Sequence, residues 1–286
     1  MSRRPRLQFP GAVYHVMTRG NRKAAIFNED DDRRRFLMTL ADALRFYDAA
    51  CDALCLMANH YHIVLETPRG NVARVMRYVN GVFAQRMNRK YGLTGHLFEA
   101  RYRSPVIQRE TYLKRATRYI VRNPVRAQLV ADPADYSWSS YRATAGLEQP
   151  PPWLSLEWLN WAYKTDSRDE AQRRYAEFVK QPPDRKTHFP PTALAVGSER
   201  FKQRIAARIA ELRKDRLLPR RPATADRPAL TELFGVSGDL STRDRIIQLA
   251  RIEHGYPLAE IAAFLNVHPS TVSKACKRCL ETQPQL

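Results

Sequence analysis

Residues 53–65 read ALCLMANHYHIVL and contain two short runs rich in strand-forming residues. The first run ends at Met57 and the second begins at Tyr61, with a short polar connection through Asn59. Two such runs joined in this way predict a pair of antiparallel strands. The flanking segments extend this pair into a larger sheet.

The segments around the strand pair alternate between strand and helix patterns. Residues 30–47 begin with acidic residues and present one apolar face, as an amphipathic helix does. The other predicted elements are a strand at 12–17, a helix at 72–91, a strand at 101–108 and a helix at 111–122. The order β, α, β, β, α, β, with one additional helix, predicts an α+β fold with a ferredoxin-like antiparallel sheet.

Two proline-rich stretches divide the 286-residue chain. Residues 148–153 read EQPPPW and residues 218–223 read LPRRPA, and both compositions favour a break between folded regions. We therefore predict a main domain at 1–147, a helical connecting region at 148–225 and a small all-α domain at 226–286.

The chain carries a large excess of positive charge, with 48 Lys and Arg against 29 Asp and Glu and a net charge of +19. Such an excess favours a polyanionic partner, above all nucleic acid. No run of ~18 apolar residues is present, and no apolar signal core follows the start of the chain. A cytoplasmic protein without a membrane partner is expected.

Four cysteines form two closely spaced pairs, Cys51 with Cys55 and Cys276 with Cys279. Two such pairs are one way to build a zinc site. The first pair lies in an apolar strand pattern and the second in a helical one. Reduced, partly buried thiols are therefore the favoured interpretation.

A pair of histidines follows the turn between the two central strands. In a strand, side chains two residues apart point to the same face, so His60 and His62 present two imidazoles to one ion while Tyr61 points the other way. A polar strand edge is the competing interpretation.

The predicted helix at 111–122 carries a second group of polar residues. Tyr119 and Asn123 lie four residues apart, so a phenol and an amide reach the same helix face. The arginines around them are Arg115, Arg118, Arg122 and Arg126. The competing interpretations are a core aromatic for Tyr119 and a solvated face for the arginines.

Together these motifs resemble the tyrosine HUH transposases, specifically the REP-associated tyrosine transposases. The resemblance covers roughly the first 145 residues. It is specific because several separated motifs occur in the same order as in the family. The matching pieces are Pro10–Val16 with Arg19–Arg22, Met57–His62, Gly95–Phe98 with Arg101–Arg103, Arg118–Ile120 and Asn123–Ala127.

The resemblance implies an HUH nuclease core that is a metal-dependent single-stranded DNA endonuclease and strand transferase. His60, His62 and Asn123 would bind Mg²⁺ or Mn²⁺, and Tyr119 would attack the phosphodiester to leave a 5′-phosphotyrosine and a free 3′ hydroxyl. Some relatives carry Gln at the position of Asn123. Tyr112 is the rival nucleophile, but only Tyr119 precedes the Asn-Pro step at the family's spacing.

The family's substrates are imperfect palindromes folded as single-stranded hairpins, and a monomer is favoured over a dimer. Tyr102 is a candidate for stacking on bases, while His15 and His96 are expected to be structural or to contact DNA. The residues expected to bind hairpin DNA are Arg3, Arg4, Arg6, Arg19, Asn21, Arg22, Lys23, Arg101, Arg103, Arg118 and Arg122. A non-catalytic DNA-binding regulator is the alternative function.

The C-terminal residues predict a helix-turn-helix, with helices at 241–253, 258–265 and 269–278. This segment resembles the DNA-binding domain of the replication initiator DnaA, which implies binding to duplex DNA. The side chains expected to face a major groove are Ser270, Thr271, Ser273, Lys274 and Lys277. A small helical bundle for protein contacts is the alternative.

Overall fold

The computed structural model describes residues 7–181, 193–217, 228–235, 240–252 and 256–281. The chain forms two compact units, residues 1–213 and residues 214–286. Arg3, Arg4 and Arg6 lie outside the described residues, as does the side chain of Lys277. Within the described ranges, no helix combines the length and the apolarity needed to cross a membrane.

A five-stranded sheet forms the centre of the first unit. Its strands are β1 (Ala12–Arg19), β2 (Ala50–Met57), β3 (His60–Thr67), β4 (Val106–Ile107) and β5 (Ala195–Val196). The order is β2-β3-β1-β4-β5, with antiparallel pairs throughout except between β4 and β5. The first four strands confirm the ferredoxin-like prediction.

Two details of the sheet differ from the prediction. The strand expected at 101–108 is reduced to β4, with one further backbone pairing between Met17 and Arg103. The parallel strand β5 comes from the region expected to be helical. Two-residue strands carry too little of the alternating pattern to be recognised in a sequence.

One face of the sheet is covered by helices α1 (Asp30–Tyr47) and α2 (Val72–Tyr91). Tyr61 points to this face, where its ring lies 4.8 Å from that of Phe36 and its hydroxyl donates to Oδ1 of Asn80 at 2.6 Å. Phe36 also makes an edge contact of 5.2 Å with Phe83. The alternation of β3 therefore directs Tyr61 into this core, as predicted, and leaves the opposite face to the histidines.

The opposite face is covered by helices that extend well beyond residue 147. They are α3 (Arg109–Val121), α4 (Asn123–Arg126), α5 (Tyr141–Thr144), α6 (Glu157–Tyr163) and α7 (Arg168–Lys180), and a further helix, α8 (Glu199–Leu217), follows β5 in the chain. Leu113 and Ile120 of α3 share one buried cluster with Trp158, Tyr175 and Val179. Helices α6 and α7 thus complete the core beneath α3.

The second unit is helical. Its helices are α9 (Leu230–Phe234), α10 (Leu240–Ile252), α11 (Leu258–Phe264) and α12 (Pro269–Glu281). Ile247, Ile261 and Val272 from three of them meet in its core. The turn between α11 and α12 passes through Asn266, whose φ of +53° is a conformation that asparagine tolerates better than most residues. The three predicted helices are confirmed.

Candidate active site

The two histidines of β3 lie on the face of the sheet that α3 covers. In the antiparallel register, Met17 is opposite His62 and Arg19 is opposite His60. Directly opposite residues share a face, so the side chains of His60 and His62 stand beside those of β1. The ring centroids of the two histidines are 5.2 Å apart.

Tyr119 reaches the same place from α3. Its ring centroid lies 6.0 Å from that of His62 and 5.8 Å from that of His15, both in edge-on contacts. The guanidinium carbon of Arg126 lies 4.6 Å from the centre of the Tyr119 ring. The fold therefore joins Tyr119 to His60 and His62, about 60 residues earlier in the chain, and to the still more distant His15.

The three histidines at this site are held in the neutral form. Burial lowers the pKa of His15 to about 3 and, with a smaller contribution from Arg19, lowers the pKa of His60 to about 4. Burial also lowers the pKa of His62 well below its ordinary value, and the nearby His15 and His60 act in the same direction. A neutral imidazole is the form that binds a metal ion.

A hydrogen-bond chain orients His60. Nδ2 of Asn59 donates to the backbone oxygen of Lys23 at 3.0 Å, which turns Oδ1 of Asn59 toward His60. Nδ1 of His60 lies 2.6 Å from that oxygen and must donate to it. The lone pair of the neutral His60 imidazole is therefore on Nε2.

The turn after β1 packs against Asn59, which takes part in these hydrogen bonds. The backbone N–H of Gly20 donates to the oxygen of Asn59 at 2.8 Å, and a Cβ at Gly20 would lie 2.1 Å from the oxygen of Ala24. Only glycine fits so close an approach. The exposed polar residues of this turn are Arg19, Asn21, Arg22 and Lys23.

Two further predicted DNA-binding residues, Arg101 and Arg103, are exposed, whereas Tyr102 does not face solvent. Arg103 pairs through its backbone with Met17, which places its exposed side chain on the face that carries His62. Arg101 is also exposed. Tyr102 is buried and its hydroxyl donates to the backbone of Val72 at 3.4 Å. The expectation that Tyr102 stacks on bases is therefore wrong, because the alternation of the chain turns its ring inward.

Arg118 and Arg122 are used inside the fold. Arg118 is 4% exposed, stacks at 4.1 Å on the ring of Phe178 and donates to the backbone oxygen of that residue. Arg122 donates to the backbone oxygen of Val179 at 2.7 Å. Both cations thus satisfy carbonyl groups at the C-terminal end of α7, where positive charge is favourable. This placement corrects the expectation of a DNA-facing role for Arg118.

Replacing Arg122 by alanine is expected to lower the free energy of unfolding by about 1–3 kcal/mol, because a charged hydrogen bond to the end of α7 is lost. Urea denaturation of the full chain measures this change. Arg173→Ala, at an exposed position on α7, is the matched control and should leave stability nearly unchanged. Equal effects of the two substitutions would contradict a stabilising role for the hydrogen bond between Arg122 and Val179.

Asn123 follows Tyr119 by one helical turn. Its Nδ2 donates to the backbone oxygens of Tyr119 and Ile120 at 3.0 and 3.2 Å, so its side-chain oxygen is the atom left to bind a ligand. The rival Tyr112 lies two turns before Tyr119, with Arg115 at 5.2 Å from its ring. His96 is exposed and far from β3 in the chain.

An acidic cluster at the start of α1 pairs with a lysine of α2. Glu29, Asp31 and Asp32 lie close enough together to suggest an ion site. Lys90 of α2 pairs with all three, at 2.7 Å from Asp32 and 3.4 Å from Asp31. The hydrogen bond with Asp32 is the main cause that raises the pKa of Lys90. We assign this cluster to the packing of α1 against α2.

The cysteines of the first unit lie on β2, where Cys55 is directly opposite His62. Cys51 and Cys55 are both buried in β2 and free of disulfides. Burial raises the pKa of each thiol above its ordinary value. Neutral, inaccessible thiols are poor metal ligands and nucleophiles.

In the second unit, the predicted DNA-reading residues lie on α12. Ser270, Thr271 and Lys274 are exposed, and Ser273 is half-buried. Nδ1 of His268 accepts from the backbone N–H of Ser270 at 3.2 Å and so closes the start of the helix.

Two protein-family models match segments of the chain. The model of the family described as "Transposase IS200 like" matches residues 8–123. Residues 8–123 are thus similar to the IS200-like transposases, over less than half of the 286-residue chain. The matched segment contains His60, His62, Tyr119 and Asn123. A helix-turn-helix domain model matches residues 239–279, and no curated protein matches the chain.

Two solved structures are similar to part of this chain. A REP-associated tyrosine transposase bound to a REP hairpin has 16% identity and a TM-score of 0.45, over 54% of this chain and 92% of that one. A candidate transposase from Deinococcus radiodurans R1 has 18% identity and a TM-score of 0.30, over 45% and 92%.

Proposed function

We propose that the protein is a metal-dependent single-stranded DNA endonuclease and strand transferase that acts on palindromic hairpin repeats through a 5′-phosphotyrosine. The observation that carries this proposal is the contact of the Tyr119 ring with His62, beside the guanidinium of Arg126. A nucleophile, candidate metal ligands and a cation for phosphate thus lie together, and all but Arg126 belong to the segment that matches the IS200-like transposase model.

The side chains at the site fit a divalent ion. His60 and His62 are neutral, Nε2 of His60 carries a lone pair, and the amide oxygen of Asn123 is available. Two imidazoles and one amide oxygen leave positions for water and phosphate oxygens, as Mg²⁺ or Mn²⁺ requires. When bound, such an ion would polarise the scissile phosphate and offset its developing charge.

The chain's own residues supply the remaining chemistry. The Tyr119 hydroxyl gives up its proton to solvent and its oxygen attacks phosphorus, while the bond to the 3′ oxygen breaks and that oxygen takes a proton from solvent to leave as a hydroxyl. The positive charge of Arg126, next to the Tyr119 ring, stabilises the charge on the phosphate. Attack by another 3′ hydroxyl on the phosphotyrosine reverses the reaction and joins strands.

The DNA would enter along the exposed basic side chains near β1. Arg19, Arg22, Lys23, Arg101 and Arg103 are all exposed, and Arg19 is close enough to His60 to contribute to its lowered pKa. Such a group favours a phosphate backbone and a salt-dependent affinity. We propose these residues, together with Asn21, as the contacts to the hairpin.

The decisive experiment incubates the purified protein with single-stranded hairpins from the repeats that flank its gene, in the presence of Mn²⁺. We expect a protease-sensitive covalent adduct of protein and DNA. Tight hairpin binding without any adduct would instead favour the non-catalytic regulator. This result separates the two functions because both bind the same DNA.

Replacing Arg126 by alanine is expected to slow adduct formation by about 10²–10³-fold, the usual loss when one stabilising donor is removed from an active site. Lys should restore part of the rate, because it retains the charge but not the planar stacking. Rates from single-turnover reactions measure the effect. Arg45→Ala, on the exposed side of α1, is the control, and an equal loss there would remove the case for Arg126.

The helix-turn-helix unit is proposed to dock on duplex DNA close to the single-stranded target. Deleting residues 226–286 should reduce duplex affinity by roughly tenfold or more while hairpin cleavage by the first unit persists. Fluorescence anisotropy measures the affinity for duplex and hairpin probes separately. Unchanged duplex binding would favour a protein-contact role for the unit.

A further inference from the structure

His15 contacts the candidate metal site from β1, although its sequence context indicated no ligand role. It is fully buried, and its Nε2 lies 2.9 Å from Nδ1 of His62. The two ring centroids are 5.1 Å apart. The contact follows from the sheet register, in which His15 is opposite Val64 and Met17 is opposite His62. Because residues two apart in a strand point to the same face, His15 and His62 lie on one face of the sheet.

The hydrogen bond constrains where the proton of His62 resides. Two neutral imidazoles joined in this way share one N–H, which belongs either to His15 or to His62. If His15 donates, Nδ1 of His62 is the acceptor, its proton is on Nε2 and no lone pair remains for an ion. If His62 donates, Nε2 of His62 carries the lone pair.

His60 shows the same arrangement with a different partner. Its Nδ1 donates to Oδ1 of Asn59 at 2.6 Å, which leaves Nε2 for a ligand. If both imidazoles are to present Nε2 to one ion, Nδ1 of His62 must also donate. His15 is then the acceptor for His62, as Asn59 is for His60.

We propose that His15 is a positioning residue that accepts a hydrogen bond from Nδ1 of His62 and thereby holds the Nε2 lone pair of His62 toward the metal. The proton of His15 itself is then on Nδ1. This inference rests on the proposed metal-dependent function. A hydrogen-bonded partner behind a metal-bound histidine fixes its tautomer and ring orientation.

The tautomer is measured directly by long-range ¹H–¹⁵N NMR of the full-length protein with ¹⁵N-labelled histidine, without metal. We expect His62 to carry its proton on Nδ1 in the native protein and to lose this preference in His15→Phe. Calorimetric titration with Mn²⁺ should show affinity reduced about 10–100-fold in His15→Phe. His15→Gln, whose amide oxygen can accept the same bond, should retain most of the affinity.

Several outcomes would overturn the assignment. A native His62 with its proton on Nε2 would do so without any variant, as would a His15→Gln affinity as low as that of His15→Phe. His96→Gln, at an exposed histidine, controls for general effects of histidine loss. If the native protein binds Mn²⁺ but forms no DNA adduct, the proposed nuclease function fails while the spectrum still decides the role of His15.

Discussion

Tyr119→Phe is expected to form no detectable covalent adduct with hairpin DNA, a loss on the order of 10³-fold or more. The phenol oxygen is the atom proposed to bond to phosphorus, and phenylalanine removes it while keeping the ring. The ring contacts with His15 and His62 can therefore persist, and hairpin affinity should be nearly unchanged. Denaturing gels with labelled hairpin, before and after protease, measure the adduct.

Tyr112→Phe is the matched control, because it removes a phenol oxygen from the same helix two turns earlier. This variant should form the adduct at a rate close to that of the native protein. The reverse pattern, with the adduct lost in Tyr112→Phe and retained in Tyr119→Phe, would transfer the nucleophile to Tyr112.

His60→Ala should lower the rate of adduct formation by about 10³-fold, which corresponds to the several kcal/mol that a metal ion contributes to phosphate chemistry. His60 is a better position for the substitution than His62, because His60 is only half-buried whereas His62 is packed against His15 and Tyr119. Manganese titration should show a weakened site in the same variant. Single-turnover kinetics provide the rate.

Two comparisons make the His60 result specific. A chelator should reproduce the loss in the native protein, and adding Mn²⁺ should reverse it. His96→Ala, at an exposed histidine outside β3, should behave like the native protein. Adduct formation that survives both the chelator and His60→Ala would show that the reaction does not depend on a metal held by these residues.

The candidate site depends on residues both within and beyond the segment that matches the transposase model. The transposase domain match ends at residue 123, yet Arg118 and Arg122 hold α3 against Phe178 and Val179 of α7. The helix that carries Tyr119 is therefore supported by residues beyond the matched domain. Substitutions at the end of α7 that contacts Arg118 and Arg122 should accordingly be interpreted as affecting the position of α3.

The order of elements and the spacing of the candidate site residues followed from local patterns in the chain, while the chemical roles of those residues came from the family resemblance. The period of two in residues 60–63 separates His60 and His62 from Tyr61, and the structure places them on opposite faces. The helical period likewise brings Tyr119 and Asn123 to one helix end. Such features depend on neighbours a few residues away, so the sequence alone determined them.

Tertiary structure decided the roles that depend on contacts between distant segments. The hydrogen bond of His15 to His62 depends on the register of β1 against β3, and the burial of Arg118 depends on where α7 packs. A buried arginine or histidine has the same letter in the sequence as an exposed one. Its role is determined by long-range packing and desolvation, which exist only once the chain has folded.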